Sequence, residues 1–187
     1  MTNLPLNGDA STRQTTSAVP ANEIKVRARL LLNALRRQEA GAIELARSVS
    51  ASRRWAEPAE WTLTHCMNIA SARAGFQHWD HARRVLGGVA PDGDDAGTLW
   101  YDNACEALTN QWFAHYAEAR AIHDASSSLY LLPYRRQFIV VDRHFIELLG
   151  LDASDPAWTE AGRDLVSGYG SPAWRELAMR RLRAMRR

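Results

Sequence analysis

Apolar residues recur every three to four positions along most of this chain, and the recurrence is interrupted at proline, glycine and short polar residues. Residues 1–20 lack the period: Leu4, Leu6 and Val19 stand among Thr, Ser, Asn and Pro, too little apolar surface to offset the entropy of ordering. A disordered tail is expected over 1–21. The period begins at Asn22, an N-cap candidate after Pro20, and places Ile24, Ala28, Leu31 and Leu35 on one helical stripe. Gly41 is expected to end or kink that helix. Ile43, Leu45, Ala46 and Val49 predict a second one, which Glu57-Pro58 breaks. Thr64 is the expected cap of a third, holding Met67, Ala70 and Ala74 and closed by Gly75. Trp79, Ala82, Val85 and Leu86 predict a fourth, stopped by Gly87-Gly88.

The glycine- and aspartate-rich stretch that follows predicts a boundary, with a helical module at 22–88, a linker at 89–97 and a second module at 98–187. The second module opens on a pattern that predicts a long helix from Leu99 to Asp124, with Tyr101, Cys105, Leu108, Trp112, Ala119 and Ile122 on one face. Leu129–Leu132 and Gln137–Val141, on either side of Pro133-Tyr134-Arg135-Arg136, predict a hairpin over 129–141. Asp142 caps a short helix closed by Gly150, and Asp155-Pro156 and Ser171-Pro172 each start another. The last is expected to turn Trp174, Leu177, Ala178, Leu182 and Met185 inward. The fold class expected is all-α, two small helical modules with at most a minor β-hairpin in the second.

Charge changes this picture more than composition does. The 187 residues carry a net charge of +2, but unevenly. Residues 1–88 and 171–187 each have a basic excess of five, and residues 89–170 an acidic excess of eight. Such segregation either lets the basic last helix lie on the chain's own acidic middle or leaves a basic face for an external polyanion. The candidate contacts are Arg175, Arg180, Arg183, Arg186 and Arg187 on the last helix, Lys25, Arg29 and Arg36 on the first, and Arg135 and Arg136 at the hairpin turn. Two cysteines without a C-x-x-C pair, and no secretory apolar stretch near the start, predict a reducing, cytoplasmic setting. No apolar run approaches a membrane span.

Sequence chemistry is sparse. No G-x-x-x-x-G-K-[ST], G-x-S-x-G or H-E-x-x-H occurs. Gly168-Tyr169-Gly170-Ser171-Pro172-Ala173 imitates a dinucleotide fingerprint but lacks its flanking strands, so it predicts a capped turn. His78 and His81 could share a metal only with two further ligands, which no spacing supplies. His115 is expected to be buried on the long helix and His123 to close it. A helix-turn-helix register fails because His81 and Arg84 fall where apolar residues are needed.

The stretch Ile24–Leu86 resembles a short helical module of bacterial glyoxalase-related proteins. The resemblance is carried by Lys25, Ala28 and Leu31, by Thr64-His65, and by the corner Gly75, Phe76 and Trp79. Residues 99–187 lack the repeated βαβββ pattern of the metal-dependent folds behind that family's name, so neither activity nor metal ligands follow from the resemblance. The second half looks like accessory proteins of bacterial plasmids and integrated elements. The expected function is a non-catalytic accessory protein that binds a macromolecular partner, protein or nucleic acid, through basic helical faces, without cofactor or metal. The alternative is a small metal-dependent enzyme or ligand-binding protein centred on His115 and His123.

Overall fold

The computed structural model describes residues 19–185. The tail at 1–18, and with it most of the expected disordered segment, lies outside the described residues, as do Arg186 and Arg187. The described chain is mostly helical, with eight α-helices and a small three-stranded sheet. No helix among the described residues is long and apolar enough to cross a membrane.

Helix α1 (Pro20–Arg36) starts earlier than the sequence suggests, because Pro20 takes the first helical position and Val19 is its N-cap. Residues 20 and 21 therefore belong to a helix rather than to a tail. Ile24, Ala28, Leu32 and Leu35 form its buried stripe. The helix stops at Arg37, before the left-handed Gln38, and Gly41 lies inside α2 (Ala40–Ser52) instead of ending α1. Helix α3 (Leu63–Arg73) is capped by Thr62, not Thr64: the Thr62 hydroxyl accepts from the His65 amide while the His65 ring accepts from the Thr62 amide. The box works with histidine in the place usually filled by Glu or Gln.

Gly75 follows α3 at a φ of 91°, and a Cβ there would sit 2.5 Å from the Thr98 hydroxyl. Only glycine fits this crossing, where the Thr98 amide donates to the Gly75 carbonyl at 2.8 Å. Helix α4 (Trp79–Leu86) comes next, with His78 as N-cap.

The long helix expected at 99–124 is absent. In its place stand a 3₁₀ turn (Asn103–Cys105), strand β1 (Gln111–Phe113) and helix α5 (Tyr116–Asp124). Asp102 accepts from the Ala104 amide and so caps a tight turn. Trp112 meets Ile139 of a strand. A residue spacing of four, three and four matched a helix by coincidence, and the tertiary partner decided the outcome.

The hairpin is present as β2 (Tyr130–Tyr134) and β3 (Gln137–Val141), and β1 adds to it antiparallel, giving the order β1-β3-β2. The register puts Trp112, Ile139 and Leu132 on one face and Phe113, Phe138 and Pro133 on the other. The first face joins the main core, while Leu131 and Val140 on the second pack under Ala119 of α5. Helices α6 (Arg143–Leu148), α7 (Pro156–Glu160) and α8 (Pro172–Ala184) follow, capped by Asp142, Asp155 and Ser171. Helix α8 buries Trp174, Leu177, Ala178 and Leu182, with Met185 partly covered. The main cluster of buried side chains runs from Ala21 of α1 to Leu182 of α8.

Candidate functional site: the hairpin tip and its cleft

The β2–β3 turn places Arg135 and Arg136 at the tip of the sheet. Arg135 has a φ of 52°, a left-handed conformation uncommon for a residue with a side chain. It is held there from outside: its amide donates to Gly97 at 2.7 Å, and its carbonyl accepts from Ala96 at 2.8 Å. Arg135 lies 5.5 Å over the Tyr134 ring. Both arginines are exposed, and neither has a carboxylate partner among the described residues.

Beneath the tip lies a cleft of about 430 Å³. It is bounded by residues 90–96, by the tip with Pro133 and Phe138, and by residues 165–169, with Tyr116 reaching in from α5. Most of these groups are apolar. Asp92, Asp94 and Asp95 lie on the rim formed by 90–96. Asp94 is held below the usual carboxylate range by the Asp95 amide and by Arg84, 3.4 Å away. Asp95 accepts from the Gly97 amide at 2.7 Å and from the Gln77 side chain at 3.0 Å. Asp92 forms no ion pair among the described residues.

The third wall is fixed by a buried carboxylate. Asp164 has no exposed surface; it accepts from the Tyr116 hydroxyl at 2.6 Å, Arg120 at 2.9 Å and the Val166 and Ser167 amides at 2.8 and 3.1 Å. Burial alone would raise its pKa, but the Tyr116 hydroxyl and the two amides outweigh it and hold the group ionised below its ordinary range. Tyr116 is raised, by burial first and by its bond to Asp164 second. Asp164 therefore anchors the wall and has no spare lone pair to offer a substrate. Tyr169 closes the end, donating to the Val85 carbonyl at 2.8 Å and accepting from the Ala90 amide at 3.1 Å.

The other basic candidates fare differently. On α8, Arg180 pairs with the buried Asp155 and with Glu176. Arg175 is half-buried beside Gly88. Arg183 is exposed. The neighbour that sequence reasoning passed over, Arg181, is buried: it donates to the carbonyls of Leu99, Leu149 and Tyr101 at 3.0, 2.6 and 3.2 Å and to Asp102 at 3.2 Å. Helical spacing separates it from Arg180: position 181 falls seven after Trp174, four after Leu177 and four before Met185, on the apolar stripe, whereas 180 falls off it. On α1, Lys25 lies 5.8 Å over the Trp79 ring, and Arg29 and Arg36 are exposed on the same stripe. No residue of α1 or α8 lines the cleft.

His115 is exposed as the N-cap of α5, not buried on a long helix. His123 is buried at the other end, with Nδ1 3.0 Å from Asp124. At 1.5 Å per residue the two are about 12 Å apart along the axis, so they do not form one centre. Both nitrogens of His81 are engaged, Nδ1 by the Gln77 amide and Nε2 by the Asp95 carbonyl at 2.6 Å. Among the described residues no three His, Cys, Asp or Glu side chains group around a metal position. Cys66 and Cys105 are buried thiols, and burial pushes Cys66 up to about 11, which makes it a poor nucleophile.

Comparison with protein-family models, with curated proteins and with solved structures returned no match. The reading of the site rests on its geometry.

Proposed function

We propose that this protein is a non-catalytic binding protein, and that the hairpin tip and its cleft take an acidic segment of a protein partner. The observation that carries this reading is the pairing of two unneutralised arginines with a largely apolar cleft at a backbone-clamped turn. An apolar side chain of the partner would fill the cleft, and a neighbouring carboxylate would meet Arg135 and Arg136, whose planar guanidinium groups suit it. Three aspartates on the 90–96 rim, the stretch that reaches the Arg135 backbone at Ala96, oppose a continuous phosphate backbone, which favours protein over nucleic acid. Of the polyanion contacts expected on α8, Arg180 is engaged within the chain and Arg175 is half-buried, which weakens that helix as a basic face.

The test is retention of a partner from extract of the source cells on immobilised protein. The wild type and Arg183→Glu should retain the same protein after nuclease treatment, and Arg135→Glu with Arg136→Glu should lose it. Loss of the partner on nuclease treatment, or equal retention by the double variant, overturns the reading.

A further inference from the structure

A second pocket, sharing no residue with the cleft, lies in the first half of the chain. It measures about 120 Å³ and is lined by Trp55, Trp61, Pro58, His65, Asn68 and His78, with Ser50, Ala56 and Ile69 completing it. Three of its polar side chains, His65, Asn68 and His78, have one property in common. The His65 Nδ1 accepts from the Thr62 amide at 3.2 Å, and the His78 Nδ1 accepts from the His81 amide at 3.3 Å. The neutral rings therefore carry their hydrogen on Nε2. The Asn68 Oδ1 accepts from the Trp79 amide at 3.0 Å, leaving the NH2 group. Local backbone thus consumes an acceptor on each of the three side chains and leaves its donors.

No carboxylate lines the pocket. His65 belongs to the first turn of α3 and His78 is the N-cap of α4, so the positive ends of two helix dipoles flank the donors. Two indoles and a proline supply an apolar wall. A void of about 150 Å³ accepts benzene, so this one suits a ligand of about five heavy atoms.

We propose that this pocket binds a small monocarboxylate, its two oxygens accepting from His65 Nε2, His78 Nε2 and the Asn68 amide, with its short hydrocarbon end against Trp55 and Trp61. The carboxylate could belong to a free acid or to the end of a peptide; the pocket's size favours the free acid.

The experiment is a titration of the full chain with propionate, followed by the indole N–H signals of Trp55 and Trp61 in ¹H–¹⁵N spectra. The expected result is a saturable shift at millimolar propionate that propionamide and tetramethylammonium do not reproduce. Acetyl-glycyl-alanine should bind at least about tenfold more weakly if the free acid is the ligand, and equal or tighter binding overturns that assignment. Asn68→Asp keeps the oxygen that caps Trp79 and replaces the donor with a negative charge; it should weaken propionate at least about tenfold. His78→Asn keeps an N-cap acceptor and removes the imidazole, and it should weaken binding severalfold, which keeps the test decisive if the aspartate variant fails to fold. No saturable shift in the wild type, a response to tetramethylammonium in its place, or unchanged propionate binding in a folded variant overturns the proposal.

Discussion

Helix α8 and the β2–β3 hairpin tip each present adjacent arginines, and the fold uses them in opposite ways. On α8, Arg181 is enclosed and meets three carbonyls and Asp102, while Arg180 neutralises the buried Asp155. At the tip, Arg135 and Arg136 meet no carboxylate among the described residues, and Arg135 holds a left-handed backbone conformation. A helix packed over its length brings its long side chains within reach of loop and helix-end carbonyls that need donors. A turn at the edge of a sheet does not. The lesson is that an arginine cluster in a sequence becomes evidence for an external partner only after internal acceptors have been counted.

The largest expected effect breaks the α8 side of the comparison. Arg181→Met should cost about 3 kcal/mol or more, because it strips donors from three carbonyls and from Asp102 in a closed setting. For a chain of this size that is a fall of roughly 10 °C in Tm. A thermal melt showing a loss under about 1 kcal/mol would mean that water replaces the guanidinium and that Arg181 is no strut.

A middle-sized effect concerns the wall of the cleft. Asp164→Asn should cost about 2 kcal/mol at pH 7, since an amide nitrogen would face one of the two pairs of donors now met by carboxylate oxygens. The folded-state pKa of Asp164 is depressed, so its contribution is complete above the unfolded value of about 3.9 and is lost as pH falls through the folded value. The gap between wild type and Asp164→Asn should therefore narrow below about pH 4. Urea denaturation at pH 7, 4 and 3 measures it; a constant gap would assign the cost to packing alone.

The elements legible in the sequence are those with local causes. Asp142, Asp155-Pro156 and Ser171-Pro172 start helices by capping within three residues, and the short apolar run in Gln137–Val141 forms β3. Strand β1 was hidden because its cause lies at Phe138–Val140, more than twenty residues away. The Arg135-Arg136 turn was visible, but its cleft draws on three segments of which one, 89–97, reads as a linker. The Trp55–Trp61 pocket was invisible for a similar reason. Histidines at 65 and 78 become donors only through backbone amides that the helix starts supply.

The smallest expected change in stability sits at the tip and sharpens the comparison most. Asparagine tolerates the left-handed region better than arginine, and neither guanidinium at the tip holds a carboxylate partner among the described residues. Arg135→Asn with Arg136→Gln should therefore leave stability within about 0.5 kcal/mol of wild type, on the favourable side if it moves. The same variant should lose most of its partner retention, because the charge that meets the partner is gone while the Ala96 and Gly97 backbone clamp remains. Chemical denaturation and the retention assay on one preparation measure both quantities. A stability loss above about 1 kcal/mol would place these arginines in the same structural role as Arg181 and erase the difference between the two regions.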